Sequence, residues 1–126
     1  MPYLDTLMFF NSRPDVLPLY LELESLLYKM FPLVNKRVQK TQITFTNRHV
    51  FACVSFARVM RKSELPDVWL TLTLGLPEPL ESSRVAVRAE PYPGRWTHHF
   101  VLTGFEDLDD ELLDWIRASY AFAARK

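Results

Sequence analysis

The sequence predicts an α+β fold in which an antiparallel sheet of five or six strands carries an N-terminal and a C-terminal helix on one face. Near both ends of the 126-residue chain, apolar residues recur at three- and four-residue spacing, which is typical of amphipathic helices. Between these ends, several segments alternate apolar and polar residues, which is typical of strands with one buried face. The strands follow one another without long helical segments between them, so we expect them to pair antiparallel.

Both predicted helices have recognisable beginnings. The first is predicted over residues 14–30, with Ser12 or Asp15 as its N-cap, because these side chains can accept hydrogen bonds from a first helical turn. The second is predicted over residues 109–123, since its acidic first turn suits the positive end of the helix dipole.

Alternation and turn residues delimit the strands. Residues 57–67 are charged and contain a proline, so they are predicted to form a loop with room for a short helix. Turn residues at 47–48 and 91–94 separate neighbouring strands. The five alternating segments are residues 40–46, 49–56, 69–76, 84–90 and 96–103. Their polar positions predict an open sheet face made of Lys40, Gln42, Thr44, Trp69, Thr71, Thr73, Arg84 and Arg88.

Length and composition predict a single domain over residues 1–126. The chain is 48% hydrophobic and 24% charged, as ordinary globular proteins are. Its one cysteine, Cys53, cannot form an intrachain disulfide, which favours a reducing cytoplasm. The N-terminal residues lack the pattern of a signal peptide, and no apolar run approaches the ~20 residues of a membrane span, so no membrane partner is expected.

Charge is unevenly distributed, although the formal net charge is zero. Residues 25–63 contain eight basic residues and no acidic one, whereas residues 104–114 contain six acidic residues and no basic one. We interpret the two segments as complementary patches that partly neutralise each other, or as solvated charge at a helix start. The zero net charge predicts no long-range attraction of the whole molecule to nucleic acid.

Two adjacent histidines, His98 and His99, distinguish the last strand. Neighbouring residues on a strand point to opposite faces, so the two rings cannot bind one metal ion together, and no metal site is predicted. We interpret His98 as a core residue, because it shares its face with Trp96 and Phe100. His99 is expected among the polar residues of the open face, where it is a candidate for binding or proton transfer.

The sequence lacks the familiar motifs of cofactor sites and activated nucleophiles. With three glycines, the chain has no glycine-rich loop to bind phosphate. Cys53 is in an apolar strand, where a thiol more often packs than reacts. The carboxylates are concentrated near the last helix, so no acid/base pair is evident. No cofactor is therefore predicted, and no catalytic residue can be assigned.

Four stretches carry a resemblance to a known family: FFNSRPDVLPLY, VQKTQITF, PYPGRWTHHFVL and DDELLDWIRASY. Together they resemble the bacterial family catalogued as domain of unknown function 5655, over nearly the whole chain. The most similar pieces are the strand at residues 40–43 and the strand that contains Arg95, His98 and His99. The resemblance implies a small α+β fold and brings no established activity with it.

Three functions fit these features. The first is a binding module whose open face takes an anionic small molecule or nucleotide, or a single-stranded nucleic acid, with Trp69 available for stacking. The second is a protein-interaction domain that docks a partner, or a second copy in a homodimer, through its sheet edges. The third is an enzyme that uses His99 as acid/base, with Lys40 or Arg95 as electrostatic stabiliser. The residues predicted to bind the ligand are Lys40, Gln42, Trp69, Arg88, Arg95 and His99.

Overall fold

One antiparallel sheet of six strands organises the structure, a computed structural model that describes residues 2–126. The strands are β1 (Asn35–Val38), β2 (Gln42–Thr46), β3 (Val50–Ser55), β4 (Leu70–Leu76), β5 (Val87–Tyr92) and β6 (Arg95–Leu102). Their order in the sheet is β1-β2-β3-β4-β6-β5, and every neighbouring pair is antiparallel. The predicted α+β class and the antiparallel sheet are therefore confirmed.

Within residues 2–126, two helices precede the strands, one helix follows them, and three 3₁₀ turns lie in the connections. The helices are α1 (Pro2–Phe9), α2 (Leu17–Met30) and α3 (Asp110–Arg125), and the 3₁₀ turns are Pro14–Val16, Lys62–Glu64 and Phe105–Asp107. The second and third helices correspond to the two that the sequence predicts. None of the helices in the described residues combines the length and the hydropathy that crossing a membrane requires.

The sheet has one face buried against the helices and one face turned away from them. Leu70, Leu72 and Leu74 of β4 are buried in a core that they share with apolar residues of α2 and α3. Leu72 pairs with Val54 of β3 on one side and with Phe100 of β6 on the other. The helix-covered face therefore extends across these three strands. The alternate positions form what is termed the open face, made of Gln42, Thr44, Cys53, Ser55, Thr71, Thr73, Thr97, His99 and Val101.

A buried serine joins α3 to the centre of the sheet. β3 bulges at Phe51, and the paired register between β3 and β4 ends beside the bulge, where Ala52 pairs with Leu74. At the next position the Ser119 hydroxyl bridges the two strands. It donates to the carbonyl oxygen of Phe51 at 2.5 Å and accepts from the backbone N–H of Gly75 at 3.1 Å. Since Ser119 is 1% exposed, no water can replace this bridge without opening the core.

An ion pair closes the helix-covered face at its β1 edge. The Nζ of Lys36 lies 2.6 Å from Oε2 of Glu24 on α2, and the lysine side chain is 8% exposed. The same ammonium donates to the hydroxyl of Thr6 on α1, and the hydroxyl of Tyr20 donates to Glu24 at 2.5 Å. Burial and the hydrogen bond to the Glu24 carboxylate raise the pKa of Tyr20. The network therefore connects α1, α2 and β1 through charge-assisted hydrogen bonds.

The structure corrects the prediction for the N-terminal region. The helix predicted over residues 14–30 divides into a 3₁₀ turn and α2, and neither begins with a side-chain cap. The predicted caps at Ser12 and Asp15 are therefore wrong, because the 3₁₀ turn moves the start of α2 beyond their reach. The sequence pattern does not predict α1, since Leu4 and Met8 are exposed and leave no clear buried stripe. Nor does it predict the four-residue β1, which is too short for a clear alternation.

The orientation predicted for β5 is also wrong. β5 begins at Val87, three residues later than predicted, and all of its residues are exposed. Val87 pairs with His99 and so lies on the open face, whereas Arg88 pairs with His98 on the helix-covered side. The prediction placed these two side chains the other way round. An edge strand without a buried face carries no hydrophobic signal that could determine its orientation.

Replacing Ser119 with alanine should destabilise the protein by about 1–3 kcal/mol, because a buried carbonyl and a buried N–H lose their shared partner. Urea unfolding followed by far-UV circular dichroism measures the change. Ser25→Ala removes an exposed hydroxyl from α2 and serves as the matched control, with a change below about 0.5 kcal/mol. Equal stability of Ser119→Ala and the wild type would show that the bridge does not stabilise the docking of α3.

Lys36→Met should destabilise the protein by about 3 kcal/mol, because it leaves the Glu24 carboxylate, which is only 18% exposed, without its cation. The double variant Lys36→Met/Glu24→Leu should recover most of this loss, since apolar residues often replace a buried ion pair at little cost. The same urea experiment measures both variants. If the double variant were as unstable as the single one, the loss would come from packing and not from the unpaired charge.

Candidate functional site

The six residues predicted to bind a ligand do not come together in one site. Gln42 and His99 both lie on the open face, but β3 and β4 separate their strands, which places their backbones at least about 14 Å apart. Lys40 is in the turn between β1 and β2 at one end of the sheet. Arg95 begins β6 at the other end, near Lys126, whose pKa is lowered by burial and by the charge of Arg95.

Trp69, which is predicted to stack on a ligand, is buried and exposes little of its indole. It precedes β4 and is 8% exposed. Its indole packs edge-to-face on Phe56, with ring centroids 5.8 Å apart, and the guanidinium of Arg13 lies 5.1 Å from the indole. The alternation of the sequence continues through residue 69, but the strand itself begins one residue later.

Arg88 is bound by the segment that precedes β5. Its guanidinium donates to the carbonyl oxygen of Leu80 at 2.6 Å and forms an ion pair with Glu81 at 3.0 Å. It also lies 5.9 Å from the ring of Trp96. The prediction that Arg88 contributes to the open face is wrong because of the reversed orientation of β5, and its charge already has a carboxylate partner.

His99 lies within a row of small polar side chains on the open face. Cross-strand pairing places four side chains in one row, Thr44, Cys53, Thr73 and His99. The prediction that His99 lies beside Thr73 is therefore confirmed. The Nδ1 of His99 is 2.8 Å from the Thr73 hydroxyl, and burial lowers the pKa of the ring. Cys53 is two strands away, at about 10 Å, and burial raises the pKa of its thiol to about 11. The thiol and the imidazole are therefore too far apart to act as a catalytic pair.

His98 lies in the core, as predicted. It is fully buried, and its Nε2 accepts a hydrogen bond from the backbone N–H of Leu80 at 2.9 Å. The neutral ring therefore carries its proton on Nδ1. Burial lowers the pKa of His98, and the positive charge of Arg88 acts in the same direction. His98 and Arg88 together attach Leu80, and with it the connection between β4 and β5, to the last two strands of the sheet.

A groove at one end of the sheet gathers cations that lie far apart in the sequence. It consists of two adjoining cavities, of about 590 and about 480 Å³, that share Phe56 as a common wall. Arg13, Arg58 and Lys62 line the first cavity, and Lys40 lines the second. The two cavities are termed the basic groove. Its cations come from the loop before the first 3₁₀ turn, the β1–β2 turn, the segment after β3 and the second 3₁₀ turn.

The cations of the basic groove lack carboxylate partners. Within residues 2–126, none of the four forms an ion pair with an aspartate or glutamate. Asp67 is the one carboxylate among the residues that line the two cavities, and Arg13 donates to its backbone carbonyl at 3.1 Å. Lys40, Arg58 and Lys62 are exposed. The groove therefore holds an excess of positive charge that faces solvent.

The rings of Phe56 and Trp69 in the groove are covered by neighbouring side chains. Phe9 stacks on Phe56 with ring centroids 5.8 Å apart, and the guanidinium of Arg13 lies 4.8 Å from the same ring. Trp69 contacts Phe56 edge-to-face and is covered by Arg13. Recognition in this groove must therefore depend on charge and on hydrogen bonds.

Three of the four cations of the basic groove belong to a segment that the sequence already marks as basic. Lys40, Arg58 and Lys62 belong to the acid-free segment 25–63, whereas Arg13 lies outside it. The sequence does not show which basic residues of the segment are already neutralised. The structure shows that Lys36 is paired in the core, as described above, and that Arg61 lies 4.0 Å from Glu64.

Three carboxylates of the acidic segment 104–114 pair with arginines outside the basic segment, and Arg117 binds Asp114 at 2.7 Å. Arg84 forms ion pairs with Asp109 at 2.8 Å and Glu111 at 3.0 Å at the start of α3. The hydrogen bond from Arg84 lowers the pKa of Asp109. The placement of Arg84 on the open face is therefore wrong, because it precedes β5 and turns towards the helix. The expected mutual neutralisation of the two charged segments is not among the ion pairs of the described residues.

A further cavity, of about 630 Å³, lies beside Val101 of the open face. Its charged residues have partners, since Arg61 lies close to Glu64 and Arg84 donates to the backbone carbonyl of Asp107 at 2.8 Å. This cavity offers less uncompensated charge than the basic groove. Across the described chain, no group of three or more His, Cys, Asp or Glu side chains is arranged to hold a metal ion.

The fold and the groove define a small α+β sheet protein with helices on one sheet face and a basic groove at one end. The family described as Domain of unknown function (DUF5655) matches residues 8–123, so the chain belongs to this family, as the sequence resemblance indicates. No curated protein and no solved structure is significantly similar to the chain. The description of the family names no activity, so the functional argument depends on the geometry.

Stability should fall as the pH is lowered below 6.5, because unfolding releases His98 to take up a proton. The folded pKa of His98 lies below its ordinary value of 6.5, so its contribution is fully present above that pH and is lost as the pH falls towards the folded pKa. Protonation also turns the Nε2 acceptor into a donor that faces the N–H of Leu80. Urea unfolding at a series of pH values measures the dependence.

The contribution of His98 can be separated from that of the other histidines. His98→Gln should weaken the pH dependence, with the part due to His99, whose pKa is also lowered, remaining. His49→Gln alters an exposed histidine in the β2–β3 turn and should leave the dependence unchanged. An unchanged slope in His98→Gln would show that the buried ring is not the group responsible.

Proposed function

We propose that this protein is a binding module for an anionic ligand and that the basic groove is its binding site. The observation that carries the proposal is the convergence of Arg13, Lys40, Arg58 and Lys62 without carboxylate partners. Like charges that are held close together repel each other, and a bound anion converts this repulsion into attraction. A site of this kind therefore binds anions with a gain in electrostatic free energy.

The side chains of the groove favour an oxyanion such as phosphate or carboxylate. The guanidinium groups of Arg13 and Arg58 have the planar donor geometry that matches two oxygens of such a group. The second cavity adds the neutral donors of Ser12, Gln42 and Ser55 beside Lys40. Both cavities have the volume of ordinary small-molecule sites. These features support a small anionic ligand, such as a nucleotide or another phosphate compound.

A single-stranded nucleic acid is less well supported as the ligand of this groove. Proteins that bind single strands gain about 1–3 kcal/mol for each base that stacks on an aromatic side chain. The rings of Phe56 and Trp69 are already covered, as described above. The zero net charge of the chain also provides no long-range attraction to a polyanion.

The two alternative functions have less support. For a homodimer through the sheet edges, β1 is short, and β5 contains Pro91 and an irregular register, which are features of edges protected from pairing. For an enzyme based on His99, Lys40 and Arg95 belong to opposite ends of the sheet. A reducing cytoplasm stays the expected location, because Cys53 is a free thiol.

Anionic ligands should raise the melting temperature of the wild type but not that of Arg58→Ala/Lys62→Ala. A ligand at 100 times its Kd stabilises the folded state by about 2.7 kcal/mol, which raises the melting temperature of a domain this size by several degrees. A thermal-shift panel of phosphate, pyrophosphate, nucleotides and citrate measures the effect. Both substituted side chains are exposed, so the double variant should fold normally.

Arg48→Ala is the matched control for this experiment. It removes one exposed positive charge from the β2–β3 turn, at the opposite end of the same hairpin from the groove. The control should keep the ligand-induced shift. The proposal would be overturned by a shift that persists in the double variant, or by the lack of any shift with the whole panel.

A further inference from the structure

We infer that the ligand of the basic groove is a linear phosphate chain of at least three linked phosphoryl groups, which lies along Phe56 from Arg58 to Lys40. This inference rests on the proposed function, and it specifies the ligand of the same site. It follows from the shape of the groove, the distribution of its charge and the covered rings of Phe56 and Trp69.

The two cavities adjoin at Phe56 across the end of the sheet and are together termed the channel. Consecutive residues contribute to both of them, since Ser12 lines one and Arg13 the other, while Phe56 lines both and is followed by Ala57 and Arg58. The channel therefore crosses the end of β3. The ligand must pass along the side of Phe56, not over its ring.

The cations of the channel are divided between its two cavities. Lys40 lines one cavity, whereas Arg13, Arg58 and Lys62 line the other, and Phe56 lies between them. A single phosphate or carboxylate can occupy one cavity, whereas a phosphate chain reaches from the Arg58 end to the Lys40 end.

The charge of the channel matches that of a phosphate chain. Four cations and one carboxylate line the two cavities, which leaves an excess of three positive charges. A chain of three phosphoryl groups carries at least three negative charges at neutral pH. The hydroxyls of Ser12, Thr41 and Ser55 line the Lys40 cavity and can donate to phosphate oxygens between the cations.

The channel has no feature that would recognise a nucleobase. The faces of Phe56 and Trp69 are occupied by Phe9 and Arg13, so a base bound there would lack a stacking partner. A free oligophosphate and a nucleoside triphosphate share the chemistry that the channel binds. We therefore expect the two to bind with similar affinity, with the nucleoside of the latter outside the channel.

Isothermal titration calorimetry at constant ionic strength tests the inference with phosphate, pyrophosphate, tripolyphosphate, adenosine triphosphate and adenosine. Affinity should rise at least tenfold from phosphate to tripolyphosphate, the triphosphate nucleotide should lie within about threefold of tripolyphosphate, and adenosine should not bind. Lys40→Ala should weaken tripolyphosphate binding about tenfold and phosphate binding less than twofold. Arg58→Ala should weaken both, and Arg48→Ala neither.

The outcomes separate this inference from the proposed function. Two results would contradict the inference of a phosphate chain but leave anion binding in the groove intact. They are equal affinity for all phosphates, and an equal loss of phosphate and tripolyphosphate binding in Lys40→Ala. Binding of adenosine, or binding of an oligothymidylate more than tenfold tighter than tripolyphosphate at the same salt, also overturns the chain. If no phosphate binds, the inference fails, and if citrate does not bind either, or if Arg58→Ala changes nothing, the proposed function fails with it.

Discussion

The ion pair between Lys36 and Glu24 is the constraint on which the N-terminal half of the structure depends. Lys36 pairs with the buried Phe45 and so points to the helix-covered face of the sheet. A buried ammonium in this position requires a partner, because desolvation of an unpaired charge is costly. The helix α2 must therefore present Glu24, and α1 must present Thr6, at the edge formed by β1. This electrostatic requirement acts together with the apolar contacts of Phe10, Leu23 and Leu27 in positioning the two helices against the sheet.

The basic groove depends on this arrangement. The chain that leaves α1 and enters α2 carries Arg13 past Phe56 and Trp69, where its guanidinium covers both rings. The same passage brings Arg13 into the cavity lined by Arg58 and Lys62. Gathering these charges opposes folding through their mutual repulsion. The apolar core, which joins residues of α2, α3 and the sheet into one cluster, offsets that cost.

Alternation predicted the two faces of the sheet well wherever a strand has a buried side. The leucines of β4 lie in the core, and His98 and His99 point to opposite faces, because the two-residue period of a strand is strict. The same reasoning failed for Trp69 and Arg88. Trp69 lies just outside the strand to which its pattern assigns it, and Arg88 lies on an edge strand that buries neither face. At Arg88 no burial constrains the pattern, whereas Trp69 is buried by contacts with Phe56 and Arg13 that lie outside the strand pattern.

The sequence by itself determined the α+β class, the helix-covered face and the core position of His98, since these depend on periods that repeat over a few residues. It also showed that residues 25–63 carry unopposed positive charge. Only the tertiary structure decided which of those charges form ion pairs and which come together in the basic groove. The four cations of the groove converge because the β1–β2 turn, the β3–β4 connection and the α1–α2 connection meet at the same end of the sheet. These cations are Arg13, Lys40, Arg58 and Lys62. Such long-range proximity depends on strand order and helix docking, which no local spacing in the chain encodes.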